Sequence, residues 1–119
     1  MVNKNVLLER SLEFGVKIVK LVHDVRIQKE EDILTREVFK VGTKIGARLR
    51  EAEFSESLEH FVNCLQRAHL KAIQTEFHLE LMLGVDLIDK ETFQSLQRET
   101  TILRKLIDTN IKTAKQRFK

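Results

Sequence analysis

The chain has 119 residues, a formal net charge of +3 and an apolar fraction of 42%, which is enough for the core of one domain. It has no proline and only four glycines, which argues against a strand-rich fold and predicts a few long helices joined by short loops. A single cysteine, Cys64, excludes an internal disulfide framework, and neither a signal peptide nor an apolar run of roughly 20 residues is visible, so we expect one cytoplasmic domain, residues 1–119.

The first predicted helix runs roughly over residues 5–27. At about 100° per residue, two apolar stripes lie side by side on it and cover about half of its circumference. Such an arc is wide for a bundle helix with one face in water, so it indicates deep burial or a subunit interface. One stripe comprises Leu8, Leu12, Gly15, Val19 and Val22, and the other Leu7, Phe14, Ile18, Leu21 and Val25.

The second predicted helix, roughly residues 31–54, keeps two glycines in its interior. Each glycine costs about 1 kcal/mol relative to alanine in such a position. We therefore expect another backbone to come very close there, and we predict close packing at Gly42, Gly46 and Ala47. Its core face is formed by Leu34, Val38, Val41, Ile45 and Leu49.

The third helix is predicted to begin near Ser55 or Ser57 and to end at Gly84, placed as a C′ glycine, and the fourth to run from the N-cap Asp89 to about Arg117. The apolar stripe of the third comprises Leu58, Phe61, Val62, Leu65, Ala68, Ala72, Ile73, Leu79 and Leu83. The heptad-like stripe of the fourth comprises Phe93, Leu96, Thr100, Leu103, Ile107, Asn110 and Ala114. The sequence thus predicts an all-α fold, an antiparallel up-down four-helix bundle.

Three polar residues of the third helix, His69, Glu76 and Glu80, share the arc of its apolar residues. We interpret them as part of a buried or half-buried polar network in which Glu76 pairs with an arginine such as Arg48 or Arg50, because buried charges are usually paired. The alternative is a metal or acid/base site.

Motifs for metal binding and catalysis are absent from the sequence. It contains no Glu-x-x-His or His-Glu-x-x-His, and Gly42-x-x-x-Gly46 lacks the Gly-Lys-Ser/Thr ending of a phosphate-binding loop. The histidines of the third helix are spaced by nine residues and so alternate sides: His60, His69 and His78. Cys64 lies off the predicted core stripe, which indicates a passive, interfacial thiol. We expect no enzymatic activity, metal, cofactor or small-molecule substrate.

Basic residues recur on the outer face of the second helix and along one flank of the fourth. They are Arg36, Lys40, Lys44 and Arg48, followed by Arg98, Lys105, Lys112, Lys115 and Lys119. Such runs are commonly a solvated face, and the functional interpretation is a surface that contacts RNA or DNA phosphates. Because the chain has no Tyr or Trp to stack on bases, we expect weak, non-specific contacts. The alternative is a protein–protein interaction scaffold without nucleic-acid binding.

Three blocks of sequence resemble a known family. They are residues 12–19, Leu-Glu-Phe-Gly-Val-Lys-Ile-Val; residues 42–53, Gly-Thr-Lys-Ile-Gly-Ala-Arg-Leu-Arg-Glu-Ala-Glu; and residues 72–81, Ala-Ile-Gln-Thr-Glu-Phe-His-Leu-Glu-Leu. The chain resembles the bacterial four-helix-bundle proteins encoded within intervening sequences of 23S ribosomal RNA genes, which are related to the accessory variability proteins of diversity-generating retroelements. His78 is a departure, since relatives often have Trp or Tyr there.

The resemblance implies that the bundle assembles into a ring, a pentamer, which would account for the wide apolar arc of the first helix. It also implies a nucleic-acid role, since the retroelement relatives bind RNA and a reverse transcriptase through a basic barrel surface. It implies no biochemical activity. The polar positions that it suggests for the contact between the second and third helices complete the expected buried network: Arg50, Glu51, Glu53, His69 and Glu76.

Overall fold

The computed structural model describes residues 4–117, with side chains from residue 6 onward. In this range the chain forms four α-helices: α1 (Lys4–Lys29), α2 (Ile33–Ala52), α3 (Leu58–Gly84) and α4 (Lys90–Arg117). The prediction of an all-α, four-helix fold is confirmed for these residues. The predicted basic residue Lys119 lies outside the described range. None of the four helices is both long and apolar enough to cross a membrane.

Each helix packs against two others, in the cyclic order α1, α2, α3, α4. A small cavity near one end of the bundle is lined by residues of all four helices, among them Leu8, Ala52, Phe61 and Asn110. The amino-terminal parts of α1 and α3 therefore meet the carboxyl-terminal parts of α2 and α4, so the helix direction alternates around the bundle. It follows that α1 and α3 lie diagonally opposite each other, as do α2 and α4.

One core unites all four helices. Its largest fully buried side chains include Phe14, Ile18, Ile45, Leu79, Met82, Leu103 and Ile107. Every residue of the predicted α4 stripe, from Phe93 to Ala114, is buried, as the heptad-like spacing predicted. Of the two predicted stripes of α1, only the one that contains Phe14 and Ile18 is largely buried. The other leaves Leu12 61% exposed, with Val19 also exposed.

Side-chain caps fix where α2, α3 and α4 begin. The Ser57 hydroxyl accepts the His60 N–H at 3.0 Å, and Asp89 Oδ1 accepts the Thr92 N–H at 2.7 Å. Both residues were predicted as caps. Hydrogen bonding from the side chain of Thr92, and then from its N–H, lowers the pKa of Asp89. At α2 the carboxylate of Glu31 accepts the N–H groups of the first three helical residues, Ile33, Leu34 and Thr35, at 3.0, 2.9 and 3.1 Å. Burial opposes the change, but these hydrogen bonds outweigh it and lower the pKa of Glu31.

The helix α3 ends at Gly84 as predicted, but Gly84 does not have the predicted C′ role. Gly84 is helical and has no positive φ, so it is not the C′ residue. Asp86 takes that role with φ 61°, its N–H bonding the carbonyl of Leu83 while the N–H of Leu87 bonds the carbonyl of Met82 at 2.9 Å. This is a Schellman motif. The turn that follows Gly84 lets Leu87 fold back and pack on the core.

The helix α1 packs close to the glycines of α2. An alanine Cβ at position 42 would lie 3.0 Å from both Cγ1 and Cγ2 of Ile18, and one at position 46 would lie 3.4 Å from Ser11 Oγ. The neighbour at Gly42 is thus a side chain rather than the backbone that we expected, whereas at Gly46 the carbonyl oxygen of Ser11 would also lie 3.6 Å from the added Cβ. Ala47 is exposed and faces solvent beside this contact.

Two assignments on α3 are wrong. Ile73, predicted in the core, is 40% exposed, whereas Cys64, predicted off the core stripe, is only 3% exposed and packs in the core. The helix α3 carries apolar residues on both its inner and its outer face. Its hydrophobic periodicity alone therefore does not distinguish the two.

Candidate functional site

The first candidate surface is the α2 stripe, which comprises Arg36, Lys40, Lys44 and Arg48. The two lysines are exposed and form no ion pair with any described residue. Both arginines are partly neutralised: Arg36 lies 3.9 Å from Asp32, and Nη1 of Arg48 bonds both carboxylate oxygens of Glu51 at 3.0 and 3.2 Å. The uncompensated positive charge therefore sits at the middle of the stripe.

The second candidate surface is the α4 stripe, which comprises Arg98, Lys105, Lys112 and Lys115, all exposed. Lys112 Nζ lies 3.1 Å from Asp108 Oδ2, while the other three form no ion pair within the described residues. Since α2 and α4 are diagonal, the structure does not bring the two stripes together. A single chain presents them at opposite corners of the bundle.

A third surface is an apolar depression of about 560 Å³ between α1 and α2, which we call the α1–α2 groove. Its walls are the exposed or half-buried apolar residues of α1 together with small residues of both helices. It is lined by Leu8, Ser11, Leu12, Gly15, Val16, Val19, Lys20, Thr43, Gly46, Ala47 and Arg50. The glycine-containing segment that sequence analysis singled out for close packing thus contacts α1 on one side and forms this groove on another.

A fourth surface is a row of apolar residues along the outer face of α3, which we call the α3 ridge: Leu70, Ile73, Phe77 and Leu81. Their spacing of three and four residues places them on one helical face, and Phe77 is 55% exposed. Sequence analysis missed this ridge. The signal was present in Leu70, Phe77 and Leu81, which are large apolar residues left outside the predicted core stripe.

The expected buried polar network does not form. Arg50, Glu51 and Glu53 are exposed, and Arg50 Nε lies 4.0 Å from Glu53 Oε1. Glu76 Oε1 instead accepts a hydrogen bond from Arg104 Nη1 at 2.9 Å. Glu76 was expected to pair with an arginine of α2, but it lies on the α4 side of α3, where Arg104 is the cation within reach.

The remaining polar residues of α3 stay apart from one another. His69 is half-buried and Glu80 exposed, and no group of three His, Cys, Asp or Glu side chains among the described residues could hold a metal ion. Cys64 Sγ lies 3.6 Å from His60 Nε2, one helical turn away. Because the sulfur is buried in the core, this pair offers no open site for a substrate.

Comparison with known proteins shows relatives that share this fold. Residues 3–109 match the profile of the 23S rRNA-intervening sequence protein family. This chain belongs to that family. A crystal structure of a protein of unknown function from the S23 ribosomal protein family of Bacteroides thetaiotaomicron is similar to it, with 36% identity and a TM-score of 0.90. The match covers 92% of this chain and 97% of the Bacteroides chain. No curated protein matches.

Family membership accounts for the architecture over almost the whole chain. The Bacteroides member has the same fold from end to end, so the four-helix arrangement is common to both. Its stated function is unknown, and the family description names the gene context rather than a reaction. The function of this chain must therefore be argued from its surfaces.

Proposed function

We propose that this chain is a non-enzymatic protein that assembles into a closed homo-oligomeric ring, a pentamer, and binds RNA or DNA phosphates weakly through its repeated basic stripes. The observation that carries the proposal is the pair of exposed lysines, Lys40 and Lys44, in the middle of the α2 stripe. They lie one helical turn apart, about 6 Å along the axis. Neither is neutralised by a described carboxylate.

A ring would make such a weak surface effective. Two lysines on one subunit neutralise few phosphates, and each contact contributes little in salt. When several copies of the stripe are fixed in one assembly, later contacts become intramolecular and the affinities multiply. The exposed apolar groove and ridge support assembly, because a monomer rarely leaves two such faces in water.

The chemistry of the stripe favours the nucleic-acid backbone over the bases. Lysines bind phosphate as point charges, and sequence-tolerant base binding needs aromatic platforms. The chain has seven phenylalanines but no Tyr or Trp. Phe14 and Phe93 are buried in the core, whereas Phe39, Phe54 and Phe77 are exposed. A phenyl ring can stack on any base but has no polar atom to bond a base edge. We therefore expect little preference among nucleic-acid sequences.

Charge reversal tests the proposal. The variant Lys40→Glu/Lys44→Glu should weaken binding of a fluorescent single-stranded RNA oligonucleotide by more than tenfold at low salt, measured by anisotropy, while far-UV circular dichroism stays unchanged. The matched control Lys29→Glu/Lys90→Glu changes the net charge equally at exposed lysines outside both stripes. Wild-type affinity in the stripe variant, or an equal loss in the control, would remove the α2 stripe from the account.

A protein–protein scaffold is the second candidate function. It is favoured by the large exposed apolar residues at the two ends of α2, Ile33 and Phe54, which belong to neither the groove nor the ridge. A protein partner could cover them, whereas phosphate contacts would not. Absence of RNA and DNA binding at low salt, with the oligomer intact, favours this candidate.

A further inference from the structure

We propose that the α3 ridge of one copy packs into the α1–α2 groove of the next copy, so that each subunit contributes a groove to one neighbour and a ridge to the other. The inference rests on the proposed assembly and names the surfaces and the partner for it. It is independent of whether the basic stripes bind nucleic acid.

The shapes of the two surfaces are complementary. The lining of the groove includes small residues, among them Gly15 and Gly46, whereas the ridge carries the large side chains of Leu70 and Phe77. An alanine Cβ at Gly15 would meet no atom within 4 Å, so the space above this position is open to a side chain from outside. Close packing of large side chains over small ones is how helices dock at short distance.

The lengths of the two surfaces also match. The apolar wall of the groove extends from Leu8 to Val19, and the ridge from Leu70 to Leu81. Each span covers eleven residue steps, or about 16 Å of helix. The ridge is therefore long enough to fill the groove from end to end.

Opposite charges flank the two surfaces, and the ring geometry sets the direction of docking. The charged residues that line the groove are Lys20 and Arg50, both cationic. Arg50 already lies 4.0 Å from Glu53, whereas Lys20 and the exposed Glu80, which flanks the ridge, form no ion pair among the described residues. In a ring whose axis runs along the bundle, α1 and α3 of neighbouring copies point the same way. The Leu81 end of the ridge then lies at the Val19 end of the groove, and Glu80 comes beside Lys20.

The position of the surfaces determines the symmetry. Because the groove lies mainly on α1 and the ridge on the diagonal helix α3, one copy cannot satisfy both in a two-fold dimer. A contact between two different patches is heterologous, and it forms a ring when its rotation closes. Because neighbouring copies contact each other through α1 and α3, the outer faces of the diagonal helices α2 and α4 stay uncovered. The two basic stripes would then lie on opposite walls of the ring.

Cysteine cross-linking tests the pairing. In the parallel register the variants Val16→Cys/Phe77→Cys and Leu12→Cys/Ile73→Cys place thiols across the interface. Under mild oxidation each double variant should give a ladder extending beyond dimers on a non-reducing gel. The four single variants should stay monomeric on the gel, as should wild type, whose Cys64 is buried. Dimers from single variants, or monomers from both double variants, would overturn the proposal.

A charge swap gives a second, independent readout. Lys20→Glu and Glu80→Lys should each shift the mass measured by light scattering toward the monomer at low salt, and the combined variant should restore the wild-type mass. Two single variants that keep the wild-type mass would contradict the docking direction. A cross-linked ladder without RNA binding would support this interface and refute the nucleic-acid role. RNA binding without a ladder would support the nucleic-acid role and refute this interface.

Discussion

Replacing Gly42 with alanine should destabilise the bundle, although alanine is the better helix former. The exchange gains about 1 kcal/mol of helix propensity. Against this, the new Cβ would lie 3.0 Å from both Cγ atoms of Ile18, closer than carbon atoms normally approach. Ile18 is fully buried and, being β-branched, has essentially one χ1 rotamer in a helix, so it cannot swing away.

The size of the effect follows from these opposing contributions. Overpacking a well-packed core costs about 1–3 kcal/mol, and the rigidity of Ile18 argues for the upper half of that range. After the propensity gain, we expect Gly42→Ala to lower the free energy of unfolding by about 1–2 kcal/mol. This corresponds to a Tm decrease of about 4–8 °C.

Gly84→Ala is the matched control for this prediction. Gly84 is also helical, but an alanine Cβ there would meet no atom within 4 Å. This variant should therefore gain stability, by up to about 1 kcal/mol. Urea denaturation followed by circular dichroism, at one protein concentration, measures both. If Gly42→Ala were as stable as Gly84→Ala, the claim that α1 and α2 are in tight contact at this position would be wrong.

Two further predictions concern the ion pair and the cap. Arg104→Ala should lower stability by about 1 kcal/mol, since its partner Glu76 is only partly exposed and loses a 2.9 Å hydrogen bond between α3 and α4. A double-mutant cycle with Glu76→Gln should give a coupling energy of similar size, and no coupling would refute the pairing. Because the folded-state pKa of Glu31 is lowered, its stabilisation is present above the unfolded value of about 4.3 and is lost as the pH falls through the folded value. Glu31→Gln should therefore cost about 1 kcal/mol at pH 7 and flatten the loss of stability between about pH 5 and pH 3, as followed by urea denaturation at each pH. An unchanged pH profile would contradict the cap.

The fourth helix could be predicted almost completely from the sequence because only one of its faces is apolar. Its buried residues recur at steps of three and four, and Ile102 is the one exposed large apolar residue within the described part of α4, so the phase is unambiguous. The caps Ser57 and Asp89 were also predictable, since a short polar side chain before a periodic run satisfies free N–H groups.

The third helix shows where the hydrophobic pattern stops being informative. Both its core face and its ridge are apolar, so the same periodicity fits two orientations, which is why Ile73 and Cys64 were assigned to the wrong sides. Which face turns inward is decided by the neighbouring helices. The same limit explains why the partner of Glu76 was predicted on the wrong helix. The pattern along one helix does not say whether α2 or α4 lies on a given side of it.

The candidate surfaces were predicted in part. The sequence revealed the basic stripes and the excess apolar surface of α1, and the close contact at Gly42 followed from the cost of a glycine inside a helix. It could not reveal that the two stripes lie on diagonal helices, or that α1 and α3 carry complementary apolar surfaces. Those relations depend on the arrangement of four helices in space.

The most direct test of the proposed function is the salt dependence of RNA binding by the purified assembly, with its mass established by light scattering. We predict measurable binding at low salt that weakens steeply as salt is added. If each of five subunits neutralises one phosphate of a single strand, the slope of log K against log salt should be about −3.5. An assembly of the expected mass that binds no RNA at the lowest salt would contradict the nucleic-acid role, and its basic stripes would then be ordinary solvated surface.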